Sequence, residues 1–177
     1  MPHVVYYAAL SLDGRIAGRD HDLSFLETLA RAPEGDYDSF YAGVDSLILG
    51  GGTWEFMVRH DAWPYGDKPT WLVSRSHTPE ELPEAQPVES FAGDLAELLR
   101  LLDGRGLRRT WLVGGGDLAG QLLAADLLDE LILTYAPTLV GAGPALADGD
   151  FPLRGFELTE VSPWGAGARL RLERRRG

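Results

Sequence analysis

Two stretches of this chain carry the same pattern. Ser46-Leu47-Ile48-Leu49 runs into Gly50-Gly51-Gly52-Thr53, and Trp111-Leu112-Val113 runs into Gly114-Gly115-Gly116. Each reads as an apolar strand, a glycine triplet and a helix start. Glycine admits φ > 0 and lets a ligand reach the backbone with no Cβ in the way. A helix start offers free N–H groups and a partial positive charge. Together they make a phosphate site that needs no basic side chain. One triplet alone reads as a tight turn. Two in the same context favour phosphate binding, with both turns flanking one pyrophosphate. Neither fits the G-x-G-x-x-G or Walker A spacing, and no lysine follows either, which argues against ATP hydrolysis. Asp117 would repel a phosphate unless its side chain caps the helix and points away.

Other residues invite chemistry, each with a plainer alternative. Arg75 follows Ser74 at the end of an apolar run, where a forked cation suits a phosphate; the alternative is a solvated arginine. Asp13 would face a substrate or, the favoured reading, hold its own turn. Thr134 lines a pocket or is a sheet threonine. Phe25 packs on a heterocycle or in the core. Trp71 and Trp111 lie inside strands and read as core. The histidines His3, His21, His60 and His77 have no ligand-like spacing, so no metal site is expected. The chain has no cysteine, which excludes disulfides, thiolate metal sites and zinc deaminase chemistry. No G-x-S-x-G or H-E-x-x-H segment supports a hydrolase.

The elements that position these residues can be read coarsely. Strands are expected over 4–12, 45–49, 70–74, 110–113 and 131–139, with a final antiparallel pair at 156–161 and 168–173. Helices are expected over 23–30, 37–43, 53–59 with Thr53 as cap, and 118–125. Leu95, Leu98, Leu99 and Leu102 mark an amphipathic helix closed by Gly104 and Gly106. Residues 77–87 read as loop. The expected fold class is α/β, a mostly parallel central sheet with helices on both faces and an antiparallel C-terminal edge. Residues 1–177 form a single domain on this reading.

There are 16 basic and 27 acidic residues, a net charge of -11. The basic tail at 169–176 alternates with Leu170 and Leu172, as a terminal strand with one wet face would. No nucleic-acid footprint is expected. An anionic cofactor must be met by local groups, because the global field repels it. No run reaches the roughly 20 apolar residues of a membrane helix. The first residues lack a signal-peptide pattern, so a cytoplasmic protein is expected.

Several segments, in order along nearly the whole chain, resemble one family. Ala9-Leu10-Ser11-Leu12-Asp13-Gly14-Arg15-Ile16-Ala17 resembles the first strand and loop of dihydrofolate reductase-like proteins, in the variant of the riboflavin-biosynthesis reductase domain. Leu49-Gly50-Gly51-Gly52-Thr53-Trp54-Glu55 is similar to its Gly-Arg-x-Thr-aromatic-Glu segment. Val73-Ser74-Arg75, Val113-Gly114-Gly115-Gly116, Leu133-Thr134-Tyr135 and the run from Gly141 to Leu146 resemble its later motifs.

The resemblance implies an NADPH-dependent reductase. It places Ala9 and Ile16 at the nicotinamide. Gly51, Gly52 and Thr53 hold one side of the phosphates, and Gly114, Gly115, Gly116 and Leu118 the other. Ser74 and Arg75 meet the adenosine 2′-phosphate. Substrate contacts fall to Asp13, Phe25 and Thr134. The substrate would be a small nitrogen heterocycle, a 5-amino-6-(5-phosphoribosylamino)uracil-like compound by analogy. Arg15, Arg19 and Arg31 are the candidates for its phosphate. The chain departs from the pattern twice. Gly51 stands where the family has arginine, a loss that Arg59 or Arg75 could offset. Leu29 falls where dihydrofolate reductases have an acid, with Glu27 and Asp36 nearby. That leaves Asp13 and Glu27 as the candidates for a catalytic role. Alternatives are a dihydrofolate or pterin reductase and a nucleotide-binding module without turnover. Homodimerisation, through the strands near the C-terminus, is a further implication.

Overall fold

The computed structural model of the chain describes residues 1–29, 36–82 and 87–175. The apolar runs become strands β1 (His3–Leu10), β2 (Ser46–Gly50), β3 (Thr70–Val73) and β5 (Arg109–Gly114), with β4 at Val88–Phe91. The chain continues through β6 (Glu130–Tyr135), β7 (Phe156–Trp164) and β8 (Gly167–Arg174). All belong to one sheet of order β4-β3-β2-β5-β1-β6-β8-β7. Neighbours from β4 to β6 run parallel, while β8 is antiparallel to both β6 and β7. This is the expected α/β sheet with its antiparallel edge.

Helices α1 (Asp36–Ala42), α2 (Gly51–His60), α3 (Leu95–Gly104) and α4 (Gly116–Ala124) accompany the parallel strands. Alternation along β1 assigns the faces. Val4 and Tyr6 join Leu98, Leu99 and Leu102 of α3 and Leu118 and Leu122 of α4 in one core. Val5 joins Leu47, Trp111 and Ile132 in another, with Phe40 and Tyr41 of α1 packed against it. The core role expected of Trp71 and Trp111 holds, at 2% and 5% exposure. Strand β2 is buried at every position, as a strand covered on both faces must be. No described helix is long and apolar enough to cross a membrane.

Four expectations are corrected. Helix α2 begins at Gly51 and α4 at Gly116, so Gly50 and Gly115 take the N-cap positions. Thr53 and Asp117 lie inside the first turns and cap nothing. Residues 24–29 form 3₁₀ turns, because Asp22 accepts from both the N–H and the hydroxyl of Ser24 and starts a tight turn. The strand expected over 131–139 stops at Tyr135, where Ala136 N–H bonds Leu10 O and Thr138 N–H bonds Ala136 O. Strand β4 was not expected. It is a four-residue strand at the edge of the sheet, half wet, with no alternation to mark it.

Candidate active site

Strands β2 and β5 are parallel neighbours, with Leu49 paired to Gly114. Their carboxyl ends therefore lie side by side, and a helix starts from each. Neither helix has a side-chain cap. Helix α3 shows the contrast: Asp94 Oδ1 accepts from the N–H groups of Ala96 and Glu97 at 2.8 and 3.1 Å. Two first turns of unpaired N–H groups thus converge on one point of the sheet's edge. The loops touch. A Cβ on Gly50 would lie 3.5 Å from Gly115 N, and one on Gly114 would lie 3.0 Å from Thr53 Oγ1.

Two of these glycines are dictated by geometry. Gly114 has φ +147°, a region side chains rarely adopt. A Cβ on Gly116 would come within 2.3 Å of the Ala145 carbonyl oxygen. The Gly114–Gly115 peptide is cis.

Both helix starts open into one cleft of about 600 Å³. Ala9 and Ile16 line it, and His21, Leu26, Phe56, Pro64 and Tyr65 close it with largely apolar surface. Among the described lining residues there is no lysine or arginine, and Asp117 and Asp148 are its carboxylates. The local positive field therefore comes from the helix ends. Asp117 is turned along its helix, accepting from Gln121 Nε2 at 2.7 Å. Burial pushes the hydroxyls of Tyr6 and Tyr65 up, so both stay protonated.

Of the cofactor residues singled out in the sequence, all but Ser74 and Arg75 line this cleft. Those two follow directly after β3. Ser74 Oγ accepts from the N–H groups of Ser76 and His77, and Arg75 is exposed. Arg59 pairs with Glu55 at 2.8 Å. Asp13 is bound into its own loop, accepting from Val140 N, Gly141 N and Ser11 Oγ. These bonds hold its carboxyl at about 2, so it is an ionised brace that ties two loops together. Thr134 pairs with Ala9 across β1 and β6 and is buried outside the cleft lining. Phe25 packs with Leu29, Ala136 and Trp164, and it is Leu26 that reaches the cleft. Glu27 is exposed and also outside the lining. Asp36 pairs with Arg169, whose guanidinium lies 3.8 Å from the Trp164 ring centroid. Arg15 donates to Gly143 O, and Arg31 lies outside the described residues.

Sequence reasoning missed His21, which lines the cleft. Asp20 and His21 both stand in the left-handed region, at φ 55° and 62°. Such residues cost about 1–3 kcal/mol each and cluster at functional sites. Aspartate and histidine are among the non-glycine residues enriched in that region, so residue type alone carried only a weak signal.

Residues 55–170 match the RibD C-terminal domain family. The chain belongs to this family. A Bacillus subtilis relative, the uncharacterised protein YwjB, is 32% identical over 78% of this chain and 79% of its own length. The 2,5-diamino-6-ribosylamino-4(3H)-pyrimidinone 5′-phosphate reductase of Methanothermobacter thermautotrophicus is 31% identical, covering 84% of this RibD-family chain and 85% of the relative. The solved structure of a protein assigned to riboflavin biosynthesis in Shewanella sp. PV-4 superposes with a TM-score of 0.86 at 25% identity, over 98% of this chain and 99% of that one. The expected dihydrofolate reductase-like fold and the expected kinship with riboflavin-pathway reductases are borne out in these relatives.

Proposed function

We propose that this RibD-family chain is a reductase that binds NADPH along the carboxyl edge of its sheet and passes a hydride to a small nitrogen heterocycle. The substrate assigned is a riboflavin-pathway compound, 5-amino-6-(5-phosphoribosylamino)uracil or a close analogue. The carrying observation is the pair of uncapped helix starts on adjacent strands, both open to one cleft. That arrangement suits a diphosphate in a chain whose net charge repels anions.

Strand order then sets the direction of the dinucleotide. Ala9 on β1 and Ile16 just beyond it flank the nicotinamide end. The diphosphate lies over Gly51, Gly52 and Thr53 after β2 and Gly114, Gly115, Gly116 and Leu118 after β5. The adenosine end falls beyond β3, at Ser74 and Arg75. From β1 to β3 is three strand steps, about 14 Å, a span that an extended dinucleotide covers.

When bound, the cofactor supplies the hydride. The protein binds, orients and dries the site. Phe56, Pro64, Tyr65 and Leu26 form an apolar wall for a flat ring and keep water away from it. His21 is the only imidazole on the described lining and suits proton transfer to a reduced nitrogen. Asp13 serves by bracing the loop between Leu10 and Ile16. The protein works as a homodimer on this reading, and Leu158 and Val161 are exposed on the edge strand β7.

Binding titrations of purified protein with NADPH and NADH test the assignment. NADPH is expected to bind more tightly, and Arg75→Ala to weaken NADPH alone. Loss of nicotinamide absorbance on adding the pyrimidine substrate would separate a reductase from a module without turnover. Equally weak binding of both cofactors would sink the proposal.

A further inference from the structure

We infer that Gly120 is a positioning residue for hydride transfer: it seats a strap, residues 143–148, that fixes the loop carrying Ile16 relative to the glycine turn after β5. This role rests on the cofactor reading above and adds a residue that lies outside the cleft lining.

The strap joins two parts of the site. One edge is zipped to the loop beyond β1. Ile16 N–H donates to Pro144 O and Leu146 N–H to Gly14 O, both at 3.0 Å, around an antiparallel bridge between Arg15 and Ala145. The Arg15 guanidinium donates to Gly143 O at 2.9 Å. The other edge lies on α4. Asp148 N–H donates to Gly116 O at 2.9 Å. Leu146 and Ala147 pack against the core that holds Leu118 and Leu122 of α4.

Two glycines make the seat. Gly116 and Gly120 are four residues apart, so they share one face of α4. A Cβ on Gly116 would lie 2.3 Å from Ala145 O, and one on Gly120 would lie 1.7 Å from Asp148 O and 2.8 Å from Asp148 C. The three atoms nearest to that Gly120 position all belong to the Asp148 backbone. Backbone cannot swing aside as a flexible side chain does. Any side chain at position 120 therefore pushes the strap off the helix.

The consequence is geometric. On the cofactor reading, the diphosphate is held at the start of α4 and the nicotinamide lies beside Ile16. The strap bonds to both places, and Pro144, Ala145 and Asp148 line the cleft as they pass. It thereby sets where the hydride-bearing carbon stands when the diphosphate is seated. Rate is sensitive to such placement, whereas phosphate affinity depends only on the turn itself.

The test compares Gly120→Ala with wild type, using the whole protein. In a single turnover with NADPH and the pyrimidine substrate, loss of nicotinamide absorbance should slow about 10- to 100-fold, the cost of a misplacement near 1 Å. ADP-ribose, which has the diphosphate and no nicotinamide, should bind within about 2-fold of wild type, a change well under 1 kcal/mol. Amide hydrogen exchange at Ile16 and Leu146 should quicken. Should Gly120→Ala not fold, Arg15→Met loosens the other edge of the strap and should give the same split between rate and ADP-ribose affinity. Parallel losses of rate and ADP-ribose binding would show that Gly120 only stabilises α4, and this would overturn the role; so would a hydride-transfer rate within 2-fold of wild type. If wild-type protein neither binds NADPH nor turns over, the cofactor reading itself falls, an outcome visible before any variant is made.

Discussion

Gly50 and Gly115 stand against each other although they are far apart in the chain: a Cβ on Gly50 would lie 3.5 Å from the backbone nitrogen of Gly115. Each is the N-cap of an uncapped helix. Their contact merges two glycine turns into one surface of helix-start N–H groups, and on the reading proposed above this closeness makes a single diphosphate a sensible ligand for both.

Glycines at this surface separate stability from binding. Gly116→Ala places a methyl 2.3 Å from the Ala145 carbonyl oxygen. It should destabilise the fold by about 1–3 kcal/mol and abolish cofactor binding. A Cβ on Gly52 meets nothing within 4 Å. Gly52→Ala should keep the wild-type Tm yet weaken NADPH, because its methyl enters the phosphate approach. Thermal melts paired with titrations check both. A Gly52→Ala protein that binds NADPH normally would contradict the site.

His21 should act in turnover and not in cofactor binding. His21→Gln is expected to lower kcat by about 100-fold, within the range of general acid catalysis, with the Kd for NADPH unchanged. A kcat within twofold of wild type would remove His21 from the chemistry.

Asp13 contributes to stability with a defined pH sign. Its folded carboxyl titrates at about 2, below its ordinary 3.8, through bonds from Val140 N, Ser11 Oγ and Gly141 N. Stabilisation is therefore full above the unfolded value and fades as pH falls toward 2. Asp13→Asn should lower Tm at pH 7, since its amide NH₂ faces N–H donors, and the gap from wild type should close between pH 4 and 2. A gap that does not depend on pH would refute this.

Glu130 anchors the opposite end of β6. It is 2% exposed, and His3, Arg109 and Arg171 approach its carboxylate at 2.9, 3.0 and 2.6 Å. Burial opposes its charge, yet the His3 hydrogen bond and the two arginines hold its carboxyl below the ordinary range. Removing it leaves three partly exposed basic side chains without their shared acceptor, so Glu130→Ala should cost about 1–3 kcal/mol without changing the ratio of NADPH to NADH affinity. Urea unfolding measures the loss. A cost under 1 kcal/mol would mean the cluster is solvated, not buried.

Much of the fold was legible because it is local. Strands β2, β3 and β5 are apolar runs, and α3 is a leucine stripe, features that periodicity records directly. The glycine triplets were legible as strand-to-helix turns for the same reason. The exact helix starts were not. Thr53 and Leu118 looked like first residues of their helices, but the chain turns two residues earlier, where glycine frees the backbone. Asp13 read correctly as a turn residue, since Asp-Gly states its own geometry. His21 carried only the weak mark of its residue type.

The amino-acid order by itself determined which segments are strand and helix, that the sheet is mainly parallel, and that two turns could hold phosphate. Folding decided that β5 inserts between β1 and β2, which brings the two turns into contact, and that Asp148 comes to rest against Gly120. The reason is physical: periodicity is written in neighbouring residues, whereas strand order and side-chain contact are settled by how distant apolar surfaces bury one another.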